Sequence, residues 1–200
     1  MNEHSFTLKE GAILDAALDL FGERGYGNTP VPQVAACAGV AVGTIYRYFP
    51  GKEGVVNALY RRWKRAFAAA LVDGVDLDGP PEQVFRDLWQ RLALFASAHP
   101  DAFAFLETHH HGPYLDAASR ALTDAIDVQI MALIERWQSA GAVRAGDPSL
   151  LLAQVFGGFV GVVRQLRRTG RPVVREIGEE TLEAAWLSLA ALTPRPGEQP

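Results

Sequence analysis

The sequence predicts an all-α protein of about nine helices, and three observations support this fold class. Apolar residues recur every three or four positions in the segments between breaks, which is the spacing of a buried helix face. No segment shows the alternation of apolar and polar residues, bounded by hairpin turns, that is typical of strands. Glycine and proline punctuate the periodic segments at Gly25, Gly39, Pro50-Gly51, Gly112-Pro113 and Gly141.

The composition indicates a folded, non-exported protein. With 200 residues, 48% hydrophobic and 21% charged, the chain has the balance of a globular domain. The longest apolar run, Leu150 to Val163, is shorter than the roughly 20 residues of a membrane span. The first residues carry acids and no apolar signal core. The single cysteine, Cys37, excludes an internal disulfide and fits a reducing cytoplasm, and we expect it to be a small buried residue.

Charge is distributed unevenly, although the net charge is only −4. Residues 1–66 carry eight basic and six acidic residues, whereas residues 67–200 carry eleven basic and seventeen acidic ones. Six of the cations lie between Val40 and Arg65, beside a single acid, Glu53. A local basic patch of this kind attracts the phosphates of nucleic acid, and the acidic remainder would stay away from it.

Two short helices around a tight turn are predicted between Pro30 and Phe49. The first helix follows Thr29, which we expect to cap it, and Gly39 ends it. The second helix buries Ile45 and Phe49 and leaves small, hydroxyl and cationic side chains outside, which suits close approach to a DNA groove. These outward residues are Val42, Gly43, Thr44, Tyr46, Arg47 and Tyr48. From these residues alone, an ordinary helical hairpin with a polar face remains an alternative.

A series of landmark residues occurs in a fixed order between Leu8 and Trp63: Phe21, Gly25-Tyr26, Thr29, Val31, Val34-Ala35, Ala38-Gly39-Val40, Gly43-Thr44-Ile45-Tyr46, Tyr48-Phe49 and Lys52-Glu53. In this order the segment resembles the DNA-binding domain of the tetracycline-repressor (TetR) family. Two departures affect local stability. Ala41 stands where the family often has a capping Ser or Thr, and Pro32 stands where a capping box would place Glu or Gln.

The resemblance implies a sequence-specific transcriptional regulator, a repressor that a small ligand releases from a pseudo-palindromic operator. The apolar and polar residues of the body favour an amphipathic organic ligand. It implies a homodimer without a cofactor, which places two recognition helices about 34–36 Å apart in the major groove. Arg47 would reach base edges, and hydroxyls and Lys52 would hold phosphates. The expected DNA-contact residues are Thr29, Val42, Gly43, Thr44, Tyr46, Arg47, Tyr48 and Lys52.

The expected domain organisation follows from the breaks and the resemblance. Residues 1–51 form a three-helix DNA-binding domain, with the helix-turn-helix at about 30–49. Residues 52–72 form a connecting helix whose apolar positions repeat every four residues. Residues 73–193 form a helical body for effector binding and dimerisation, and residues 194–200 form a disordered tail.

The run His109-His110-His111 is the most conspicuous polar feature of the body. Adjacent helical residues point about 100° apart, so three in a row cannot share one metal ion from a regular helix, and we predict no metal site. A hydrogen-bonding or helix-end role and contact with a ligand both remain open. A cavity bordered by this run and the helix carrying Trp89 is expected, with candidate residues Trp89, Phe95, Phe103, Phe105, Glu107, His109, His110, His111, Tyr114, Met131, Trp137 and Phe156.

The apolar run Leu150 to Val163 contains three glycines, which weaken a helix unless close packing compensates. An internal helix would explain it. The resemblance favours a subunit interface instead, because the family dimerises through its last two long helices. The predicted interface residues are Gly157, Gly158, Gly161, Leu182, Trp186 and Leu189.

We do not expect an enzyme, because no nucleophile elbow, phosphate-binding glycine loop or spaced Cys/His zinc set is present in the sequence. The alternative function is a helical enzyme or metal-binding protein that uses His109 to His111.

Overall fold

The computed structural model describes residues 3–108 and 112–191. The described chain is helical apart from its loops and one isolated antiparallel bridge between Val143 and Ala190. Nine described α-helices have seven or more residues and one is a single turn, which confirms the predicted fold class. They are α1 Glu3–Arg24, α2 Val31–Cys37, α3 Val42–Tyr48, α4 Gly51–Val72, α5 Pro81–Ala98, α6 Pro100–Thr108, α7 Ala117–Ser139, α8 Pro148–Thr169, α9 Val173–Glu176 and α10 Glu179–Leu189, with a 3-10 turn at Gly112–Tyr114.

The helices form two compact units. The first unit comprises Met1–Ala68 and His99–Asp124, and the second comprises Ala69–Ala98 and Ala125–Pro200. Both α4 and α7 therefore contribute residues to both units. The expected DNA-binding domain, residues 1–51, lies within a larger first unit that also contains α6 and the beginning of α7.

The core of the first unit joins the helix-turn-helix to α1, α4 and α6. Phe21 of α1 is fully buried and stacks on Phe105 of α6, with ring centroids 6.5 Å apart. Ile45 anchors α3 from beneath, as its spacing from Phe49 predicts, and both side chains are buried. Because these apolar contacts leave few alternative arrangements, they fix the position of the short helices α2 and α3, which are too short to be stable alone.

Local sequence signals at α2 and α3 are partly confirmed. Gly39 adopts a φ of +66°, as predicted for the residue that ends α2. The start of α3 at Ala41 has no side-chain cap, as the alanine predicts. The expected capping role of Thr29 is wrong, because Pro30 is the N-cap residue of α2. Cys37 is exposed, contrary to expectation, because it lies away from the helix face that buries Val34 and its neighbours.

Aromatic side chains dominate the core of the second unit. Trp89 of α5 stacks on Phe85 at 5.7 Å and makes an edge contact with Phe159 of α8 at 5.1 Å. Trp186 of α10 lies 5.4 Å from Phe85 and 6.4 Å from Trp137. We call this group the aromatic cluster and define it as Phe85, Trp89, Trp137, Phe156, Phe159 and Trp186.

Helix α8 is the one described helix that is long and apolar enough to cross a membrane, judged by length and composition only. Its 22 residues exceed the 14-residue run counted from the sequence, but the helix ends in the basic residues Arg167 and Arg168. Only 28% of its most apolar window is buried within the chain. A helix of a soluble protein can have the same length and composition. Because most of this apolar window is not buried within the chain, α8 has an exposed apolar face.

Candidate DNA-binding surface and ligand-binding core

Helix α3 presents the side chains expected for reading DNA. Tyr46 is 59% exposed, and Val42, Gly43 and Arg47 are also exposed. A Cβ atom added to Gly43 would meet no atom within 4 Å, so the packing of this chain does not require a glycine there. Its small size leaves room for an external surface such as a DNA backbone to approach closely. Thr44 and Tyr48, also predicted contacts, are half-buried at the edges of this face.

Thr29 does not belong to this surface. Its side chain is fully buried, and its hydroxyl donates to the carbonyl oxygens of Leu20 at 3.2 Å and Gly25 at 2.9 Å. The Leu20 carbonyl belongs to the last turns of α1, and the Gly25 carbonyl lies just past its end, where no intrahelical donor is available. Thr29 therefore joins the end of α1 to the start of α2. Its predicted contact with a phosphate is corrected, since the hydroxyl is turned into the protein.

Lys52 holds the turn that precedes α2. Its Nζ lies 4.1 Å from the ring centroid of Tyr26 and 3.4 Å from the carbonyl oxygen of Gly27. Burial lowers the pKa of Lys52, while burial and the nearby Glu53 carboxylate raise the pKa of Tyr26. The Tyr26 ring also contacts Tyr114, at a centroid separation of 4.2 Å. Lys52 thus stabilises the expected DNA-binding domain, residues 1–51, which we call the head, in addition to its predicted role at a phosphate.

Part of the basic patch is neutralised within the first unit. Arg61 pairs with Asp116 at 2.9 Å, and Arg62 pairs with Asp15 at 2.8 Å. The count of cations along the sequence therefore overestimates the charge offered to DNA. The pairing with Asp116 involves a residue 55 positions away, so its proximity to Arg61 was not visible in the sequence.

A buried polar network around Asn57 also escaped sequence analysis. The side-chain oxygen of Asn57 accepts hydrogen bonds from the backbone N–H of Asp116 and from Ser119 Oγ, both at 2.8 Å. Its nitrogen donates to the carbonyl oxygen of Tyr114 at 2.8 Å. Asp116, which directly precedes α7, in turn accepts a hydrogen bond from the Ser119 N–H at 2.7 Å. We call these four residues the Asn57 network. It fixes the segment 114–119 to α4, the helix that directly follows the helix-turn-helix.

Gly54 sits at a close approach between α4 and the end of the recognition helix. A Cβ atom at this position would lie 2.5 Å from Cδ of Pro50 and 3.3 Å from Cβ of Phe49. The ring of Pro50 cannot rotate away, so the glycine is required by this packing. Gly54 therefore helps to fix the geometry of the short connection between the end of α3 and the start of α4.

The predicted ligand-contact residues fall into different units. Phe103, Phe105, Glu107 and Tyr114 belong to the first unit, where the two phenylalanines are buried and fill its core. The histidines 109–111 lie outside the described residues. The remaining candidates belong to the second unit, where Met131 and Phe156 are half-buried and the others are buried: Trp89, Phe95, Met131, Trp137 and Phe156.

Within the part of the chain that the structure describes, no group of three His, Cys, Asp or Glu side chains could hold a metal ion.

The predicted interface residues divide between surface and core. Gly157, Gly158 and Gly161 of α8 are exposed, and an added Cβ would meet no atom within 4 Å at any of them. Packing within this chain therefore does not explain the glycines. Leu182 and Leu189 of α10 are buried in the second unit, and Trp186 packs in the aromatic cluster. Among the described residues of α10, the large apolar side chain that is exposed is instead Leu187, at 63%.

Comparison with known proteins accounts for both parts of the chain. The family model for bacterial regulatory proteins of the tetR family matches residues 13–59. A second model, the tetracyclin repressor-like C-terminal domain, matches residues 61–190. The chain belongs to the TetR family. The expected function of a DNA-binding transcriptional regulator is thereby confirmed, and it is the function of the family's members.

Several TetR-family relatives and structures resemble the chain over much of its length. The Escherichia coli (strain K12) transcriptional regulator RutR is 31% identical over 74% of this chain and 70% of its own length. The Mycolicibacterium smegmatis transcriptional repressor KstR is 36% identical over 56% of this chain and 62% of its own. The Bacillus subtilis fatty acid metabolism regulator is 31% identical over 50% of this chain and 46% of its own length. A TetR-family regulator structure from Marinobacter aquaeolei VT8, at 19% identity, shares the fold with a TM-score of 0.81 and covers 96% of this chain and all of that one.

Proposed function

We propose that this TetR-family chain is a repressor that binds a pseudo-palindromic operator as a homodimer and leaves it when a small organic ligand binds the second unit. The observation that carries the DNA-binding part is the exposed face of α3, with Tyr46, Arg47 and the uncrowded Gly43 above the buried Ile45. KstR, a related protein, is a transcriptional repressor. Nothing in this proposal requires catalysis, and we place the protein in the cytoplasm with its DNA.

On DNA, the exposed residues of α3 divide by chemistry. Arg47 offers paired N–H donors that suit the acceptor edge of guanine, whereas Tyr46 and Thr44 offer hydroxyls that suit phosphate oxygens. Gly43 and Val42 allow the helix backbone to approach the groove. Lys52 would reach a phosphate only by leaving Tyr26 and Gly27, so we expect its loss to weaken both the head and its DNA affinity.

For dimerisation, we propose the exposed apolar faces of α8 and α10, with a second copy of the chain as occupant. Gly157, Gly158 and Gly161 allow close approach of helices, and Leu150 is 68% exposed on the same helix. Leu187 extends this face on α10, replacing the buried Leu182 and Leu189 in the predicted set. Burial of this apolar surface between two copies would remove it from water and provide the driving force.

The response to a ligand would operate as a population shift. A ligand that binds one conformation of the second unit more tightly than another favours that conformation by its differential affinity. Helices α4 and α7 each have residues in both units, and the Asn57 network joins the two helices inside the first unit. We propose that a shift of α7 reaches the head through this network.

The experiment is selection of operator sequences from fragmented genomic DNA with the full chain, followed by salt-dependent binding measurements. We expect a pseudo-palindromic site. Tyr46→Ala should weaken binding to all DNA sequences about equally and reduce its salt dependence. Arg47→Ala should lose roughly 1–3 kcal/mol of binding free energy at one base position and relax the sequence preference there. Arg136→Ala, which removes an exposed arginine of α7 in the second unit, is the matched control. Selection that returns no preferred sequence would contradict the operator, and an unchanged preference in Arg47→Ala would make Arg47 a phosphate contact.

Dimerisation has a separate test. Gly158→Trp should convert the dimer to monomer in sedimentation experiments, whereas Ala132→Trp, at an exposed position on α7, should not. An intact dimer in Gly158→Trp would exclude this face as the interface.

A further inference from the structure

Trp89 carries a buried hydrogen-bond donor without an acceptor among the described residues. The side chain is 95% buried, since only 5% of its surface is exposed, and its Nε1 is inaccessible to solvent. Buried indole N–H groups normally find a partner, because desolvating a donor without replacing its hydrogen bond with water is costly. Phe85 and Phe159, the rings beside Trp89, offer no conventional acceptor.

The interior around Trp89 is otherwise apolar. The buried polar residues of the described chain are Thr29, Asn57 and Ser119, and all three belong to the first unit. The described core of the second unit therefore has no buried cation or anion that could compensate a charged guest. Phe156 and Trp186, also of the aromatic cluster, are only half-buried, so the cluster extends to the surface of the second unit.

We propose that Trp89 Nε1 donates a hydrogen bond to a bound ligand that is uncharged, largely apolar and equipped with one acceptor oxygen, such as an aryl or alkyl ketone or ester. An indole N–H only donates, so the ligand must supply the acceptor. A carboxylate would lose its hydration without a buried cation to replace it, which excludes an acid from this position. The apolar remainder of the ligand packs on the aromatic cluster. That such binding releases DNA rests on the proposed function; the binding itself does not.

The competing arrangement is an N–H directed at the face of the Phe159 ring. Such contacts are weak but would satisfy the donor without a ligand. In that case the ring current would shift the NMR signal of the Trp89 indole proton upfield, and addition of a ketone would not change its chemical shift. The experiment therefore observes this proton directly.

The test uses the full chain with ¹⁵N-labelled tryptophan, whose four indole N–H signals are resolved by NMR, with Trp89→Phe identifying the signal of interest. Three probes of similar size are titrated: 4-phenyl-2-butanone, which has an acceptor; butylbenzene, which has none; and 3-phenylpropanoate, which is charged. We expect the ketone to bind about tenfold more tightly than the hydrocarbon, as one hydrogen bond allows, and to move the Trp89 proton downfield. The carboxylate should not bind.

Trp89→Phe should bind the ketone and the hydrocarbon equally, whereas Trp186→Phe, which alters another ring of the cluster, should keep the preference for the ketone. Equal binding of ketone and hydrocarbon by the unaltered protein, no binding of either, or a stationary Trp89 proton would overturn the proposal. Binding of the carboxylate as tight as that of the ketone would overturn the ligand class. A ketone that binds at Trp89 but leaves the operator complex intact would sustain this site and contradict ligand release. Failure to bind any operator without a probe would contradict only the DNA-binding proposal.

Discussion

The two units differ in how their interiors are held together. In the first unit, the buried polar residues Thr29, Asn57 and Ser119 all make directed hydrogen bonds. In the described core of the second unit, rings and aliphatic chains make the contacts. Directed bonds are satisfied in one geometry, whereas apolar contacts can be exchanged for others of similar area.

The difference fits a division of labour within a regulator. Recognition of a fixed DNA groove requires a head with one conformation, and the Asn57 network supplies that constraint at the start of α4 and α7. A unit that accommodates a ligand can rearrange its interior at a small cost in free energy when few of its contacts are directed hydrogen bonds. The comparison predicts that loss of one polar side chain should damage the first unit more than loss of apolar volume damages the second.

The largest expected effect is that of Asn57→Leu. It would leave the Asp116 N–H, the Tyr114 carbonyl and the Ser119 hydroxyl without their partner. The contacts to Asp116 and Tyr114 are part-buried, and the buried Ser119 hydroxyl keeps its contact with Arg61. At about 1–3 kcal/mol for a fully buried unsatisfied group, we therefore expect a loss of roughly 3 kcal/mol in the free energy of unfolding. Urea denaturation followed by circular dichroism measures it. A cost below that of Phe159→Leu would contradict the proposed contrast between the units.

The corresponding change in the second unit is Phe159→Leu. Phe159 is fully buried against Trp89 and Phe156, and leucine retains most of its apolar character. We expect a loss of roughly 1–2 kcal/mol, because the smaller side chain leaves a cavity that neighbouring rings partly fill. The same denaturation experiment applies. Complete unfolding of this variant would show that the second unit is as geometrically constrained as the first.

Glycine substitutions give opposite signs in the two units. Gly54→Ala places a Cβ 2.5 Å from Pro50 Cδ, so overpacking of about 1–3 kcal/mol should exceed the helix-propensity gain, with a net loss of roughly 1 kcal/mol. Gly157→Ala in α8 meets open space within the chain and should stabilise the isolated chain by roughly 0.5–1 kcal/mol. Denaturation at concentrations where the protein is monomeric compares them. Stabilisation by Gly54→Ala would refute the close approach to Pro50.

The smallest effect concerns acid. The Ser119 N–H, foremost, and the Ser119 hydroxyl and Arg61 lower the pKa of Asp116. A lowered folded pKa means that the stabilisation is present above the unfolded value of about 3.9 and disappears as pH falls through the lower folded value. The Asp116 side chain is 48% exposed, so we expect this stabilisation of the folded state to be below about 1 kcal/mol. The difference in the free energy of unfolding between the unaltered protein and Asp116→Asn should narrow below about pH 4. Asp127→Asn, which changes an exposed aspartate, is the control. A constant advantage down to pH 2 would contradict this linkage.

Sequence reasoning succeeded where signals are local. The periodicity of α1 to α4, the left-handed glycine at Gly39 and the inward pair Ile45 and Phe49 each depend on a few neighbouring residues, and the structure has all of them. The face of α3 followed from the same arithmetic, since fixing Ile45 inward leaves Tyr46 and Arg47 outward.

It failed where a side chain had two local options or a distant partner. A threonine before a helix can cap it or turn back to the preceding helix, and only the packing of α1 on α2 directs Thr29 inward. On α10, leucines recur at positions that suit either a core or an interface, so Leu182 and Leu189 could not be separated from Leu187. Asn57 meets partners 57 to 62 residues away, which no local pattern indicates.

The division into two units also distributes the chromophores. Trp89, Trp137 and Trp186 belong to the second unit and Trp63 to the first. All five tyrosines belong to the first unit: Tyr26, Tyr46, Tyr48, Tyr60 and Tyr114. Tryptophan emission therefore reports mainly on one unit, and tyrosine absorbance reports on the other. With Trp63→Phe, the chain would become a two-channel optical probe in which melting of each unit is followed without any added label.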